Sequence, residues 1–265
     1  MESEWFSPTW LAQAPGLPRF TVRDTRSAQG VLDTRTKPIT VADLVKFHGH
    51  ACDGLVRAAY AFRALFDAML GPDEPIDRTD LQVVSKNSPC LGDVAAYLTG
   101  GRVRFGTHRL DPDLGVGFVV QRLSDGLTFA VREEVGFFPP LISAWETELL
   151  GNDLDEESRR ELIAVNEARQ WDWVRFQLLP SRPSDHYHAQ RVSGEVIPTP
   201  IMTARRTDVV NRNVSSPREY RSPDAGGPAD PTAAISRVAE PTKWERLYDQ
   251  GPAVLHRHHA PGVTN

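Results

Sequence analysis

The sequence predicts an α+β fold: helices packed on a mostly antiparallel sheet, with an extended N-terminal arm and a proline-rich C-terminal tail. Two segments, 55–69 and 155–170, have the pattern of helices, and three short apolar segments bounded by glycines are typical of strands. Eleven of the 21 prolines lie at or beyond Pro180, where few apolar residues are available for burial. These observations favour one folded core between two extended segments.

Composition and charge exclude several classes of protein. The chain has 265 residues, 40% of them apolar and 25% charged, and its net charge is -5. Such a chain lacks the electrostatic footprint of proteins that bind nucleic acids or anionic membranes. Its apolar stretches are shorter than the ~18 residues of a membrane span, and its first residues do not have the pattern of a secretory signal. We therefore expect a cytoplasmic protein without nucleic-acid or membrane partners.

The chain divides by composition and periodicity into three regions: an arm at 1–39, a core at 40–195 and a tail at 196–265. The arm carries four prolines and scattered aromatic residues without a sustained period, so we expect it to dock on the core or on a second copy of the chain. The tail is rich in proline, and we expect it to pack on the core or on that second copy.

The first elements of the core follow from periodicity and capping signals. Apolar residues at i, i+3 and i+4 predict a helix over 55–69, which a Gly-Pro pair ends. The segment LQVVSK (81–86) predicts a strand. A second helix is expected after it, with Ser88 as the N-cap and Pro89 as the first helical residue.

The following elements are three strands and a helix. The strands are predicted in the segments GRVRFG, GVGFVVQRL and GLTFAVREEV. A hairpin turn at 124–126 joins the last two, and acidic residues open the helix at 155–170. The segments WDWVRFQLL and HYHAQRV fit either a helix end or a strand. We expect the acidic runs at 132–134 and 155–157 to be a solvated face and a helix start.

The segment FHGHACDG (47–54) places His48, His50 and Cys52 at every second position. In an extended segment the three side chains lie on one face, whereas in a helix only His48 and Cys52 align, at i and i+4. Either arrangement pairs an imidazole with a thiol at the start of a predicted helix, where the dipole favours the thiolate. The structural alternative is an ordinary turn that Asp53 and Gly54 form before the helix.

Cys90 repeats this arrangement, because it also lies in the first turn of a predicted helix. Two cysteines, one of them beside two histidines, are ligand types that zinc, copper and iron accept. Two thiols at helix starts are equally suited to thiol chemistry without a metal. A small buried side chain without chemistry is the alternative for Cys90.

Other histidines fall into two groups. His186 and His188 lie two residues apart in a possible strand, either as a strand-edge pair or as residues that reach a pocket or a dimer interface. The group near the C-terminus is expected to be solvated: His256, His258 and His259.

Three ordered motifs resemble the FmdE family, which is named after formylmethanofuran dehydrogenase: FHGHACDGL, VVSKNSPCLGDVAAYLTG and VRFGTHRL. The family's corresponding motifs are F-H-G-H-x-C-P-G, E-N-x-x-C-x-x-D-A and a G-K-G-N-like turn. The resemblance covers about 40–140 and extends to about residue 195. It implies an α+β core, often an intertwined dimer, in which motif residues line a metal-binding or active site. The matching positions are His48, His50, Cys52, Asn87, Cys90 and Asp93.

The chain departs from this family in four places. Asp53 stands where the family has proline, Lys86 replaces glutamate, and Thr107 and His108 replace a Lys-Gly pair. The cysteine-rich zinc finger that follows the core in many members is missing, since no cysteine follows Cys90. These departures point away from methanofuran chemistry and towards a specialised enzyme.

The resemblance and the residues lead to three hypotheses. The first is a metalloenzyme acting on a small molecule as a homodimer, in which Cys52 with one or both of His48 and His50 holds one transition metal ion, and Cys90 is left open as a further ligand. Zinc or iron is expected, with haem as an open alternative. Catalytic roles then fall to Cys52, Asp53, Cys90 and Asp93, and cofactor contacts to Asn87 and His108. Asp53 or Asp93 is expected to orient a ligand imidazole or to shuttle a proton. The second is metal-free sulfur transfer or redox chemistry at Cys52 and Cys90. The third is a protein that binds a ligand or cofactor without turnover.

Overall fold

The computed structural model describes residues 7–26, 30–149, 151 and 154–193, in which two sheets and six helices are formed. The strands are β1 (Arg19–Arg23), β2 (Lys37–Thr40), β3 (Ile76–Asp77), β4 (Leu81–Ser85), β5 (His108–Leu110), β6 (Gly117–Arg122), β7 (Thr128–Glu133) and β8 (Tyr187–Val192). The helices are α1 (Val41–His48), α2 (Asp53–Met69), α3 (Pro89–Thr99), α4 (Pro140–Leu149), α5 (Glu156–Trp173) and α6 (Pro183–His186).

The main sheet has five strands in the order β5-β4-β6-β7-β8. All neighbours in it are antiparallel except β4 and β5, which run parallel. A smaller sheet has the order β2-β1-β3. Helices packed on a mostly antiparallel sheet confirm the predicted α+β class.

Helix α2 is the centre of the core. Its sequence mixes alanines with large apolar residues, and most of its side chains are buried. The small alanine side chains allow neighbouring elements to pack closely on both sides of the helix. One side of α2 packs on the main sheet, where the ring centroids of Phe62 and Phe118 lie 4.2 Å apart. Another side of α2 contacts α3. Because α2 is fixed on both sides, its N-terminus has a defined position against the first turn of α3.

Residues of the predicted arm take part in the folded unit. Strands β1 and β2 pair with each other, and Phe20 of β1 is buried against Phe66 of α2. The Trp10 ring packs edge-on against Trp171 at the end of α5, with a centroid distance of 5.7 Å. The tail residues, with His256, His258 and His259, lie outside the described residues.

Several expected elements form as predicted, and one does not. The helices at α2, α3 and α5, the strand β4 and the hairpin of β6 and β7 are confirmed. The predicted strand in GRVRFG is wrong: residues Val103–Phe105 form a 3-10 turn, and β5 begins at His108. The segment HYHAQRV is mainly the strand β8, whereas the segment after Trp173 continues as a π-helical turn at Val174–Leu178. No helix of the described residues is long and apolar enough to cross a membrane.

Candidate metal centre

The motif FHGHACDG forms the junction of two helices. Helix α1 begins with a capping box between Thr40 and Asp43 and ends at His48. Gly49 follows with a φ of 101°, a left-handed conformation that reverses the chain and favours glycine. Cys52 is then the N-cap of α2, and its Sγ accepts a hydrogen bond from the Leu55 amide at 3.4 Å. The junction is thus neither of the two regular geometries considered from the sequence.

The two cysteines meet where the first turns of α2 and α3 touch. Cys52 Sγ lies 3.3 Å from Cys90 Sγ, and both cysteines are free thiols. Gly54 allows this approach, because a Cβ at position 54 would lie only 3.2 Å from the Cys90 Cβ and 3.3 Å from its Sγ. Gly54 of the CDG sequence therefore permits close packing of α2 against Cys90 as well as the turn before the helix.

His48 is held with one ring nitrogen towards the thiols. Its Nδ1 lies 2.8 Å from Asp93 Oδ2 on α3, and its side chain is 4% exposed. Its Nε2 lies 4.0 Å from Cys52 Sγ. A carboxylate that accepts a hydrogen bond from Nδ1–H fixes the tautomer in which Nε2 offers a lone pair.

His48, Cys52 and Cys90 together satisfy the donor set and the spacing of a metal site. One ligand atom of each lies within 4.8 Å of the others. Zinc–sulfur bonds of about 2.3 Å and zinc–nitrogen bonds of about 2.0 Å in a tetrahedral site separate the ligand atoms by about 3.5–3.8 Å. The distances of 3.3 Å and 4.0 Å bracket this range, so the residues fit a transition metal with small rotations of their side chains.

The two thiols differ in the direction in which their pKa values are shifted. A hydrogen bond from the Cys52 thiol lowers the pKa of Cys90 to about 7 despite its burial. The pKa of Cys52 is raised, because this thiol donates to Cys90 and is itself buried. The charge of Asp53 raises both pKa values. Cys90 is therefore the cysteine that becomes a thiolate first, although the sequence favoured Cys52 for that role.

His50 lies next to the cluster of His48, Cys52 and Cys90 and outside it. Its ring is exposed and packs on the His48 ring, with centroids 4.5 Å apart and planes inclined by 42°. The three-residue cluster thus contains His48 and Cys52 from the expected ligand set, together with Cys90, which the sequence leaves open as a further ligand. His50 covers the solvent side of His48.

The other expected site residues border a surface groove of about 450 Å³ beside this cluster. Asn87, Asp93 and His108 all contribute to its wall. Asn87 is exposed, whereas His108 is 4% exposed, and its Nε2 lies 2.8 Å from Ser85 Oγ. The groove therefore begins at the carboxylate that orients His48 and extends over His108.

Asp53 faces a buried ion-pair network and not an imidazole. Its Oδ2 accepts a hydrogen bond from Arg57 at 3.2 Å, and Arg57 also binds both carboxylate oxygens of Glu133, at 2.6 and 2.9 Å. Tyr187 donates its hydroxyl to Glu133 at 2.9 Å. The Arg57 guanidinium stacks on the Phe138 ring at 3.8 Å. Of the two aspartates expected to orient an imidazole, Asp93 has that contact among the described residues.

Sequence reasoning missed this network and misplaced one residue of the acidic run at 132–134, whose other two residues are exposed. Glu133 was expected on a solvated face, which is wrong, since its side chain is 8% exposed and pairs with Arg57. The available signal was the i, i+4 spacing of Asp53 and Arg57 on an otherwise apolar helix. The Nδ1 atom of His186 lies 2.7 Å from Glu134 Oε2, and its ring stacks on Phe137. His186 is not part of the cluster of His48, Cys52 and Cys90.

We expect the substitution Asp93→Asn to lower the affinity of the chain for Zn²⁺ about 10- to 100-fold, because the carboxylate that orients His48 is lost. Competition with a chelating dye measures the change. Asp113→Asn, in a turn on the exposed surface, is the control and leaves the affinity unchanged. Equal affinities of the Asp93→Asn variant and the wild type would contradict the prediction.

Comparison with known proteins agrees with the motifs of this site. Residues 47–177, which contain all three cluster residues, match the family described as "FmdE, Molybdenum formylmethanofuran dehydrogenase operon". The crystal structure of a tungsten formylmethanofuran dehydrogenase FmdE-like protein from Syntrophus aciditrophicus aligns over 60% of this chain and 74% of that one, with 15% identity and a TM-score of 0.37. No curated protein matches the sequence significantly. The family match confirms the resemblance stated from the motifs, and the core of this chain belongs to the FmdE family.

Proposed function

We propose that this protein is a metal-dependent enzyme acting on a small molecule, with His48, Cys52 and Cys90 as the ligands of one zinc or iron ion. The observation that carries the proposal is the convergence of one imidazole and two thiols, with Asp93 aligned behind the imidazole. Structural zinc sites close their coordination with four protein ligands, whereas catalytic sites have three and leave a position for substrate or water. Three ligands beside an open groove fit the catalytic pattern.

The residues around this centre have distinct tasks in the proposed enzyme. A bound metal ion would supply Lewis-acid chemistry at the open position. Asp93 holds the proton on His48 Nδ1 and so keeps Nε2 free to bind. His50 shields the His48 ring from solvent, and the groove lined by Asn87 and His108 receives the small molecule. Assembly as a homodimer stays a prediction from the resemblance, and a cytoplasmic location stays a prediction from composition.

Metal analysis of the untagged protein tests the proposal. We expect about one transition metal ion per chain, and the Cys52→Ala/Cys90→Ala variant to lose it. In the cobalt-substituted protein, azide should change the d–d absorption bands, because an open coordination position accepts an external ligand. Metal content that the double substitution leaves unchanged would overturn the assignment of the site. A cobalt spectrum insensitive to azide would overturn its catalytic nature.

A dithiol function is the second candidate, and the Sγ–Sγ distance of 3.3 Å favours it. Two thiols at this distance form a disulfide after small rotations, since the sulfurs need approach only to about 2.05 Å. In that case the Cys90 thiolate attacks a disulfide of a partner molecule and releases one of its thiols, and Cys52 then attacks the mixed disulfide, which releases the second thiol and leaves a Cys52–Cys90 disulfide. Metal-free protein with a reversible disulfide in the cell would favour this candidate.

Alkylation of the metal-free protein should follow the unequal pKa values of the pair. Because the pKa of Cys90 is lowered to about 7, the iodoacetamide rate at Cys90 is expected to rise as pH increases through 7 and then level off. In Cys52→Ala the hydrogen bond from the thiol is lost, so the midpoint should move to higher pH. Peptide mass spectrometry identifies the alkylated residue. Faster alkylation of Cys52 than of Cys90 at pH 7 would contradict this expectation.

A further inference from the structure

His108 is a buried histidine on the wall of the groove beside the metal centre. It is the first residue of β5 and is 4% exposed, and the groove around it also includes Asn87, Gly92 and Asp93. Its Cε1 atom, which joins the two ring nitrogens, lies 4.0 Å from the point where Gly92 would carry a Cβ. A titratable ring therefore lies in the wall of an open groove.

Hydrogen bonds on the core side of the ring select one tautomer. Ser85 is fully buried, and its Oγ lies 2.8 Å from His108 Nε2 and 3.2 Å from the Lys86 carbonyl oxygen. The carbonyl oxygen can only accept, so Ser85 satisfies both contacts when it donates to Lys86 and accepts from Nε2–H. The proton of the neutral ring is then on Nε2, and Nδ1 has a free lone pair.

The second nitrogen of this ring has no hydrogen-bond partner among residues 7–26, 30–149, 151 and 154–193. Burial lowers the pKa of His108, an effect that the charge of Asp93 opposes, so the ring is neutral at pH 7. Nδ1 is not one of the fully buried polar atoms that lack a partner in the described part of the chain, so it is reached from the groove, where water or a ligand satisfies it. Nδ1 is therefore an acceptor available to a molecule in the groove.

We infer that the groove over His108 is the substrate-binding subsite of the proposed metal centre, and that His108 Nδ1 accepts a hydrogen bond from an O–H or N–H group of the small molecule. This inference rests on the proposed function for the presence of a substrate. The groove volume of about 450 Å³ suits a small organic molecule. Because Nδ1 can only accept, the bound molecule carries at least one donor. Asn87 offers a further donor and acceptor at the rim, which suits a polar molecule.

NMR spectroscopy of the metal-free full chain, labelled with ¹⁵N-histidine, tests the inference independently of the metal. The resonances of His108 are assigned by comparison with His108→Gln. We expect a long-range ¹H–¹⁵N spectrum in which Nε2 of His108 is protonated and Nδ1 is not. In Ser85→Ala the Nε2 partner is lost, and a second tautomer should become populated.

Two small probes of similar size then test the groove. Glycolamide carries O–H and N–H donors and should shift the His108 Nδ1 resonance saturably, whereas N,N-dimethylacetamide has no donor and should not. His186, already paired with Glu134, serves as an internal control and should not respond to either probe. Protonated Nδ1 in the wild type, or equal responses to both probes, would overturn the inference. Because no metal is added, a negative result here is distinguishable from failure of the metal assignment.

Discussion

Replacing Cys90 by serine is expected to lower the affinity of the chain for Zn²⁺ by about 100- to 1,000-fold. Binding of zinc by a complete site is worth about 10–16 kcal/mol, so one thiolate accounts for about 3–4 kcal/mol of it. Cys90 is also the thiol whose pKa is lowered to about 7, and it therefore offers a thiolate at little cost near neutral pH. Competition with a chelating dye at pH 7.5 measures the affinity.

The matched substitution is His50→Ala, which separates the three-residue cluster from the ligand set expected from the sequence. His50 packs on the His48 ring but lies outside the cluster, so its loss should change the zinc affinity by less than about threefold, much less than a ligand would. Thermal unfolding of both variants without metal checks that they are folded. A loss in His50→Ala as large as that in Cys90→Ser would mean that His50 is a ligand and that the cluster is incomplete.

Much of this site could be predicted from local sequence. The helix starts at Cys52 and Ser88, the helix over 55–69 and the β6–β7 hairpin depend on capping, periodicity and turn residues that lie within a few positions of each other. Two cysteines at helix starts then suggest one pocket, and the structure brings them to 3.3 Å. These features are local, so a single sequence is enough to indicate them.

The partners across the site could not be predicted in the same way. Asp93 was one of two aspartates expected to orient an imidazole, but its pairing with His48 could not be predicted. The contact joins residues 45 positions apart and depends on the junction at Gly49 and on the crossing of α1 with α3. Glu133 was misassigned because its neighbours Arg132 and Glu134 are charged, and no local pattern reveals an arginine 76 residues away. Strand β5 was placed too early because the apolar residues of GRVRFG form a turn whose ends are joined by hydrogen bonds between Arg102 and Thr107. Long-range pairing decides the first two cases, and a turn closed over five residues decides the third.

Removing the guanidinium of Arg57 should cause a large loss of stability. The side chains of Arg57, Asp53 and Glu133 are 11%, 9% and 8% exposed, and the arginine is the hydrogen-bond donor common to both carboxylates. In Arg57→Met the side chain keeps an apolar stem of similar length beside Phe138, but two carboxylates are left buried without their cation. We expect the free energy of unfolding to fall by about 3–5 kcal/mol, measured by denaturation in urea.

The control is Arg160→Met, since Arg160 forms an exposed pair with Glu156 on α5, with side chains 74% and 81% exposed. Solvent screens that pair, so no measurable change in stability is expected. The triple variant Arg57→Met/Asp53→Asn/Glu133→Gln should recover part of the loss, because neutral amides in place of the carboxylates lower the cost of the missing cation. A triple variant less stable than Arg57→Met would show that the carboxylates stabilise the fold without the arginine. Recovery would instead show that Asp53, beside the thiol of Cys52, is tolerated there because Arg57 neutralises it.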